Sequence, residues 1–438
     1  MKEILNMFFI FFCVATLTAQ KFDTQKMDNL FAAIEENKKG MGSFSVFQNG
    51  EEVYQNSIGY ADLQQKIKAG ADTKYRIGSI SKTFTASMIM QLVEEGKLQL
   101  NTKLSKFYPE MPNAESIDIE DLLRHQSGLF NFTSELGYPA YMEEAKTKQE
   151  MLEIFKSLKP VFEPGAKNEY SNTNYVLLSF IAEDVTGKSF SKLLQDRIVK
   201  PLGLKKTYYG SKINTADFEA QSYKKEKDWV LNTETDLSIP KGAGGVVSTP
   251  KELNQFFTAL FSGKVVKPES LEKMKDLKNG YGMGLFSYPL NDKVLYGHTG
   301  GIDGFGSMAI YDPETELAAA YISNAIAMPV GDIMAGALSI SFGMDYDIPE
   351  LKSLELSAEE LQKFTGNYTS QSFPLDIRIF EKNGILMVQA TGQSSFPLEA
   401  YEPNKFEFAR AGLKLEFTAE EGKMLMMQNG VSYQFNLE

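Results

Sequence analysis

Residues 75–97 read YRIGSISKTFTASMIMQLVEEGK. From Ser79 to Glu95 the apolar residues recur at helical spacing, and Gly96 supplies a stop signal. Ser79 and Lys82 stand three positions apart at the start of this helix, on one face and one turn from each other. A partly desolvated ammonium gives up its proton more readily than one in water, so Lys82 is a candidate base for the Ser79 hydroxyl. The helix N-terminus also favours negative charge developing beside the serine. Alone the pair is commonplace. S-x-x-K recurs at Ser189, Ser222, Ser238, Ser248 and Ser270, where a capping serine and a solvated lysine account for it.

Two motifs further along single out Ser79. Tyr170-Ser171-Asn172 follows the turn Pro164-Gly165 at the entry to a predicted helix. A phenol between cationic groups can have its pKa pulled down and shuttle a proton, and an asparagine offers a donor and an acceptor to a substrate amide. His298-Thr299-Gly300-Gly301 closes a predicted strand. Glycines there let a substrate backbone approach closely and leave an amide N–H for an oxyanion. With an ordinary pKa of about 6.5, His298 is expected to change charge between about pH 5 and 8, and the protonated form is favoured as the holder of a substrate carboxylate. His125, within Leu122-Leu123-Arg124-His125-Gln126-Ser127-Gly128-Leu129, reads as part of a helix-ending turn with a structural role.

Outward from these motifs, residues 24–39 read as a helix stopped by Gly40. Ser43–Gln48 and Glu52–Ile58, joined by Asn49-Gly50, read as a hairpin. Residues 116–200 are expected to be mostly helical. Tyr281–Phe286, Lys293–Gly297, Phe305–Tyr311 and Leu317–Ser323 read as strands, followed by a helix near 329–342. That order predicts an α+β fold: an antiparallel sheet flanked by helices, with a helical subdomain inserted between its halves. Beyond Pro349 short alternating runs punctuated by Asn383-Gly384 and Asn429-Gly430 predict a small all-β, barrel-like module. The expected division is 1–20 leader, 21–348 catalytic unit and 349–438 barrel.

Composition removes whole classes of function. Forty-three per cent hydrophobic residues and 23% charged residues describe an ordinary globular protein. The net charge of −12 argues against a nucleic-acid partner. Two histidines, His125 and His298, and one cysteine, Cys13, are too few for a zinc, haem–thiolate or iron–sulfur site, so no metal or cofactor is expected. No G-x-S-x-G pentapeptide occurs. Met7–Leu17 is an apolar run of signal-peptide length followed by Thr18-Ala19-Gln20, which predicts export to a periplasmic or secreted location and no membrane span after cleavage.

Together and in this order, Ser79-x-x-Lys82, Tyr170-x-Asn172 and His298-Thr299-Gly300 resemble the serine β-lactamase and penicillin-binding-protein superfamily, over roughly residues 25–345. The Tyr-x-Asn element places the resemblance with class C β-lactamases and their DD-peptidase and esterase relatives. Tyr75-Arg76-Ile77-Gly78, Pro201-Leu202-Gly203-Leu204 and Gly244-Gly245-Val246-Val247-Ser248-Thr249 agree with it. The resemblance implies a β-lactamase/transpeptidase-like fold and acyl transfer through a covalent intermediate. Ser79 would be the nucleophile, Lys82 and Tyr170 the proton-transfer pair, either of them the base. Asn172, His298, Thr299, Gly300 and Gly301 would bind substrate, with the N–H groups of Ser79 and Gly301 as the oxyanion hole. His298 stands where β-lactamases usually carry lysine, which turns the expectation toward D-alanyl-D-alanine carboxypeptidase, D-aminopeptidase or esterase activity on a small molecule or short peptide. A class C β-lactamase and a non-catalytic member binding cell-wall peptides or a partner are the alternatives. The segment 205–237, with Tyr208, Tyr209 and Trp229, is expected to shape specificity. Oligomeric state is left open.

Overall fold

The computed structural model describes residues 22–428 and 430–438. The leader-like run and its cleavage point lie outside the described residues. Two mainly antiparallel assemblies organise the described chain. The larger is an eight-stranded sheet whose main path runs Phe286–Leu290, Lys293–Ile302, Phe305–Asp312, Leu317–Ile326, Gly40–Gln48, Glu51–Ile58. Tyr223–Lys225 adds in parallel at the end of Leu317–Ile326 and pairs in turn with Trp229–Leu231.

The central strands are buried on both faces, and their alternation divides two cores. Phe44, Val46, Ala319 and Tyr321 pack on the terminal helices Thr24–Glu36 and Val330–Ser341. Phe47, Ala318, Ala320 and Ile322 face the other way, toward Ser81–Glu94 and Pro250–Phe261. Alanines at that second face leave room for helices to sit close, and Phe84 stacks on Phe256 at 3.8 Å between ring centres. Ser81–Glu94 is buried nearly all round, its serines and threonines included, because it runs through the middle of this core. The helical insertion is there, with Asn172–Thr186 against Ser81–Glu94, yet 124–147 and 158–171 are mainly turns and extended chain.

Three boundaries differ from expectation. Thr24–Glu36 ends early because Lys38 takes the left-handed conformation (φ 51°), and Gly40 opens a strand instead of stopping the helix. Residues 281–285 are not a strand: Met283 and Leu285 alternate into the core, but Gly282 N–H donates to Leu285 O and Met283 N–H to Met274 O. The sheet begins at Phe286, on its edge, where Pro289 removes no ladder bond. The strand Lys293–Ile302 runs on through His298, Thr299, Gly300 and Gly301 and does not end at Gly297.

The second assembly is a closed eight-stranded barrel from Gly366–Thr369 to Val431–Leu437, closed by the pairing of Tyr368 with Leu437. Its interior is filled by side chains including Ile377, Val388, Phe406, Leu415, Phe417, Met424 and Phe435. It meets the first assembly where buried Lys39 bonds Glu399 and donates to Ser353 Oγ.

Candidate active site

From Thr73 to Met90 every residue is buried except Ser79. Ser79 occupies a short 3-10 turn, Gly78–Ile80, and the α-helix proper starts at Ser81. Gly78 holds φ at +51°, and a side-chain carbon on it would fall 2.7 Å from Gly301 N. On Gly300 the same atom would fall 2.1 Å from Ile77 O. The edge of the sheet therefore presses directly on the turn that presents the serine. Ser307 Oγ fixes the contact by donating to Ile77 O at 2.8 Å.

The sequence-derived residues converge around Ser79 Oγ. Lys82 Nζ lies 2.9 Å from it, and Tyr170 OH lies 2.8 Å from it on another side. Lys82 also donates to Asn172 Oδ1 at 2.8 Å and Ala243 O at 2.7 Å. Both of those oxygens can only accept. A neutral amine has two hydrogens for them and one lone pair left, directed at the Ser79 hydroxyl. Full burial pushes the Lys82 pKa well below its ordinary value, in keeping with that form. Burial acts oppositely on Tyr170 and raises its phenol pKa, with the Ser79 hydrogen bond offsetting part of the effect. The expected lowering of this pKa by neighbouring cations is thus overturned: desolvation outweighs a lysine that is itself depleted of charge.

Asn172 is fixed at both ends of its amide. Its Nδ2 donates to Thr133 Oγ1 at 3.0 Å and Asn131 Oδ1 at 3.2 Å, and Asn131 Oδ1 accepts Asn172 N–H at 2.9 Å. Asn131, Thr133 and Ala243 were not picked out from the sequence. The first two follow directly on the quoted run ending at Leu129, and the third precedes Gly244-Gly245, so each had a motif beside it as its signal.

His298 corrects another expectation. It is buried, at 2% exposure, with Phe286 set edge-on at 4.9 Å. Nδ1 sits 2.5 Å from Thr299 O, an acceptor, so Nδ1 carries the hydrogen and Nε2 is a bare, buried acceptor without a partner among the described residues. Burial is the main cause that lowers its pKa to about 3. It is neutral across pH 5–8 and does not supply the cation expected for a carboxylate. His125 is also buried; its Nδ1 accepts Ser171 N–H at 3.0 Å and its ring stacks on Tyr170 at 4.5 Å. The residue read as structural braces the tyrosine of the site.

A cavity of about 340 Å³ opens over Ser79, lined by Tyr170, Phe286, Tyr288, His298, Thr299, Gly300 and Gly301. With His298 neutral, none of these lining side chains carries a charge. The segment 205–237 does not reach it: Tyr208 bonds Glu219, Tyr209 donates to Leu237 O, and Trp229 packs near Met41 and Tyr223. Among the remaining S-x-x-K serines, Ser189 caps a helix at Lys192 N–H and Ser222 accepts Gly304 N–H.

Comparison with known proteins identifies the family. A family model described as Beta-lactamase matches residues 27–335. Penicillin-binding protein 4* of Bacillus subtilis is 25% identical over 425 residues, covering 90% of this chain and 94% of that protein. Teichoic acid D-alanine hydrolase of Staphylococcus aureus is 29% identical over 275 residues, 59% of this chain and 65% of that one. Among solved structures, D-amino acid amidase from Ochrobactrum anthropi SV3 is 29% identical with a TM-score of 0.66, covering 73% of this chain and 99% of its own. The octameric penicillin-binding protein homologue from Pyrococcus abyssi, 25% identical at the same TM-score of 0.66, covers 94% of this chain and 99% of its own.

Proposed function

The chain belongs to the β-lactamase family and is a serine hydrolase of the wider β-lactamase and penicillin-binding-protein superfamily, and on that premise we propose that it hydrolyses carboxylate-free esters and amides of D-amino acids through a Ser79 acyl-enzyme. The observation that carries this reading is the uncharged lining of the cavity over Ser79. A substrate carboxylate entering it would lose hydration with no cation to replace it, a cost of several kcal/mol in a low-dielectric site. A neutral ester or amide loses little. The D-amino acid preference is supported by the likeness to a D-amino acid amidase and a teichoic acid D-alanine hydrolase.

In the reaction Ser79 Oγ–H gives its proton to the neutral Lys82 amine as Oγ attacks the substrate carbonyl. The carbonyl oxygen takes up negative charge against the N–H groups of Ser79 and Gly301. Tyr170, held as a neutral phenol, donates its proton to the departing nitrogen or oxygen. The new Lys82 ammonium, 4.8 Å from the Tyr170 ring centre, offsets the phenolate. In deacylation the phenolate accepts a proton from water, the hydroxide attacks the acyl carbonyl, and Ser79 leaves with the proton of Lys82. Both groups return to their starting forms. Asn172 Oδ1 and the Ala243 carbonyl each accept one hydrogen of the lysine and so keep its lone pair on Ser79.

Single-turnover reaction with a chromogenic ester, a D-amino acid amide, a D-alanyl-D-alanine peptide and a cephalosporin tests the reading. Mass should appear on the Ser79 peptide, with the ester and amide preferred by about 100-fold or more in kcat/KM. A preference for the cephalosporin would establish a β-lactamase instead. The leader-like run of residues 7–17 supports export; protein from the native host should begin near Gln20 or Lys21, and retention of Met1 would overturn that part.

A further inference from the structure

Arg76 is a buried cation outside the chemistry just described. Its side chain is 2% exposed and faces a carboxylate, Asp303, that is 0% exposed. Nη1 donates to Asp303 Oδ2 at 3.1 Å and to Thr235 O at 2.7 Å. Nη2 donates to Glu234 Oε1 at 2.7 Å and to Ser211 O at 3.0 Å. The other oxygen of Asp303 accepts Thr235 N–H at 3.0 Å and its hydroxyl at 2.6 Å. Arg76 Nε, also buried, has no partner among the described residues. Sealing two charges and an orphan donor away from water is costly, and a hairpin turn can be closed without it. Asp303 adopts φ +53° at that turn, a conformation that asparagine or glycine adopts as readily.

The pair earns its place by what it joins. Only Ile77 and Gly78 separate Arg76 from Ser79, and only Ile302 separates Asp303 from Gly301. Gly78 and Gly301 are in backbone contact, so a shift of the hairpin turn alters the distance between the two segments directly. Thr235, Glu234 and Ser211 hold the pair from a third segment and prevent it from swinging as a unit.

We propose that Arg76 and Asp303 are positioning residues for acyl transfer: their buried ion pair locks the hairpin turn carrying Gly301 against the chain entering Ser79, and thereby sets the spacing of the two backbone N–H groups that receive the oxyanion. The proposal rests on the acyl-enzyme reading above. A donor displaced by an ångström loses most of its effect on an oxyanion while substrate binding changes little.

The test compares an oxygen ester with the thionoester of the same acyl group, in wild type, Asp303→Asn and Arg76→Lys, each checked by thermal melting. Sulfur is a poor acceptor for an oxyanion hole, so the oxygen-over-sulfur ratio of acylation rates reports donor alignment. Asp303→Asn should lower kcat for the oxygen ester about 10–100-fold, leave KM within about threefold, and shrink the ratio by about tenfold. Arg76→Lys, which keeps the charge and loses the fork, should fall between it and wild type. If folded variants keep the wild-type ratio, whether or not they are slower, the pair is only a structural brace and the proposal is overturned. Should Asp303→Asn fail to fold, the ratio in Arg76→Lys decides by the same criterion. Wild type that carries no adduct on Ser79 would overturn the acyl-enzyme reading itself, and this proposal with it, an outcome visible before any variant is made.

Discussion

A histidine that cannot be charged changes what the site can hold. His298 has a pKa of about 3 in the folded chain against about 6.5 when unfolded. Between those values the unfolded chain binds the extra proton, so the stability linked to His298 is complete above about pH 6.5 and is lost as pH falls toward 3. His125, lowered in the same direction by burial, adds to the same acid loss. Melting temperatures measured from pH 7 to pH 4 should drop less steeply in His298→Gln than in wild type; identical slopes would mean that the ring is protonated in the fold. In kinetics, a matched acid and ester substrate should share one pH dependence from pH 5 to 8, and His298→Lys should improve the acid selectively. An acid-specific decline centred near pH 6.5 in wild type would contradict a neutral ring. Ser79→Ala should lower the rate by about a thousandfold or more. That Ser79, Lys82, Tyr170 and His298 form one candidate group was legible because spacing and chain order are written in the sequence. Their protonation states were not, because burial sets them, and it brings His125 onto Tyr170 and Ala243 onto Lys82 from distant parts of the chain.

At the scale of elements, the strand Lys293–Ile302 and the turn Gly78–Ile80 act as one part, and neighbouring glycines divide the work between them. A methyl on Gly300 meets the Ile77 carbonyl at 2.1 Å, which only a backbone shift can relieve, whereas on Gly301 the nearest atom is Phe305 O at 4.0 Å. Gly300→Ala should therefore cost about 1–3 kcal/mol or more of stability by forcing strand and turn apart. Gly301→Ala should melt within a few degrees of wild type, as expected for a methyl placed in open space. Equal losses in the two melts would show that the strand does not press on the turn. The hairpin at Asn49-Gly50, the helix stop at Gly96 and the strands on either side of Asp312-Pro313 were legible, since local turn chemistry decides each. The alternation of Tyr281, Met283 and Leu285 misled because a period of two reports which side chains are buried and says nothing of what the backbone bonds to. Here the backbone of that stretch bonds to 274–278, to itself and to the Thr83 hydroxyl of the core helix, and pairs with no described strand of the sheet.

On the scale of the molecule, the question is whether the barrel is part of the catalytic unit. Its buried cluster runs from Leu361 to Phe435 and shares no residue with the two clusters that flank the sheet. The chain between them changes allegiance within a few residues. Ile348 and Leu351 pack against the terminal helices, while Ser353 donates to Glu399 and Leu354 N–H donates to Ala400 O, both on barrel strands. We propose that the units fold separately and that the division falls at Lys352, slightly later than the composition shift at Pro349 suggests, because Ile348 and Leu351 complete the first core. The strongest tie across the division is Lys39 with Glu399, and its energetic weight is small once separation is considered: removing the barrel exposes Lys39 to water, where an ammonium needs no partner. Among the described residues, none lining the cavity over Ser79 comes from beyond Lys352. A chain ending at Lys352 should accordingly unfold in one cooperative transition and hydrolyse a small ester with kcat/KM within about threefold of the full chain. If instead it melts without cooperativity, or keeps its melt but loses the esterase rate, the barrel contributes to the core or to the geometry at Ser79, and the two assemblies form one folding unit.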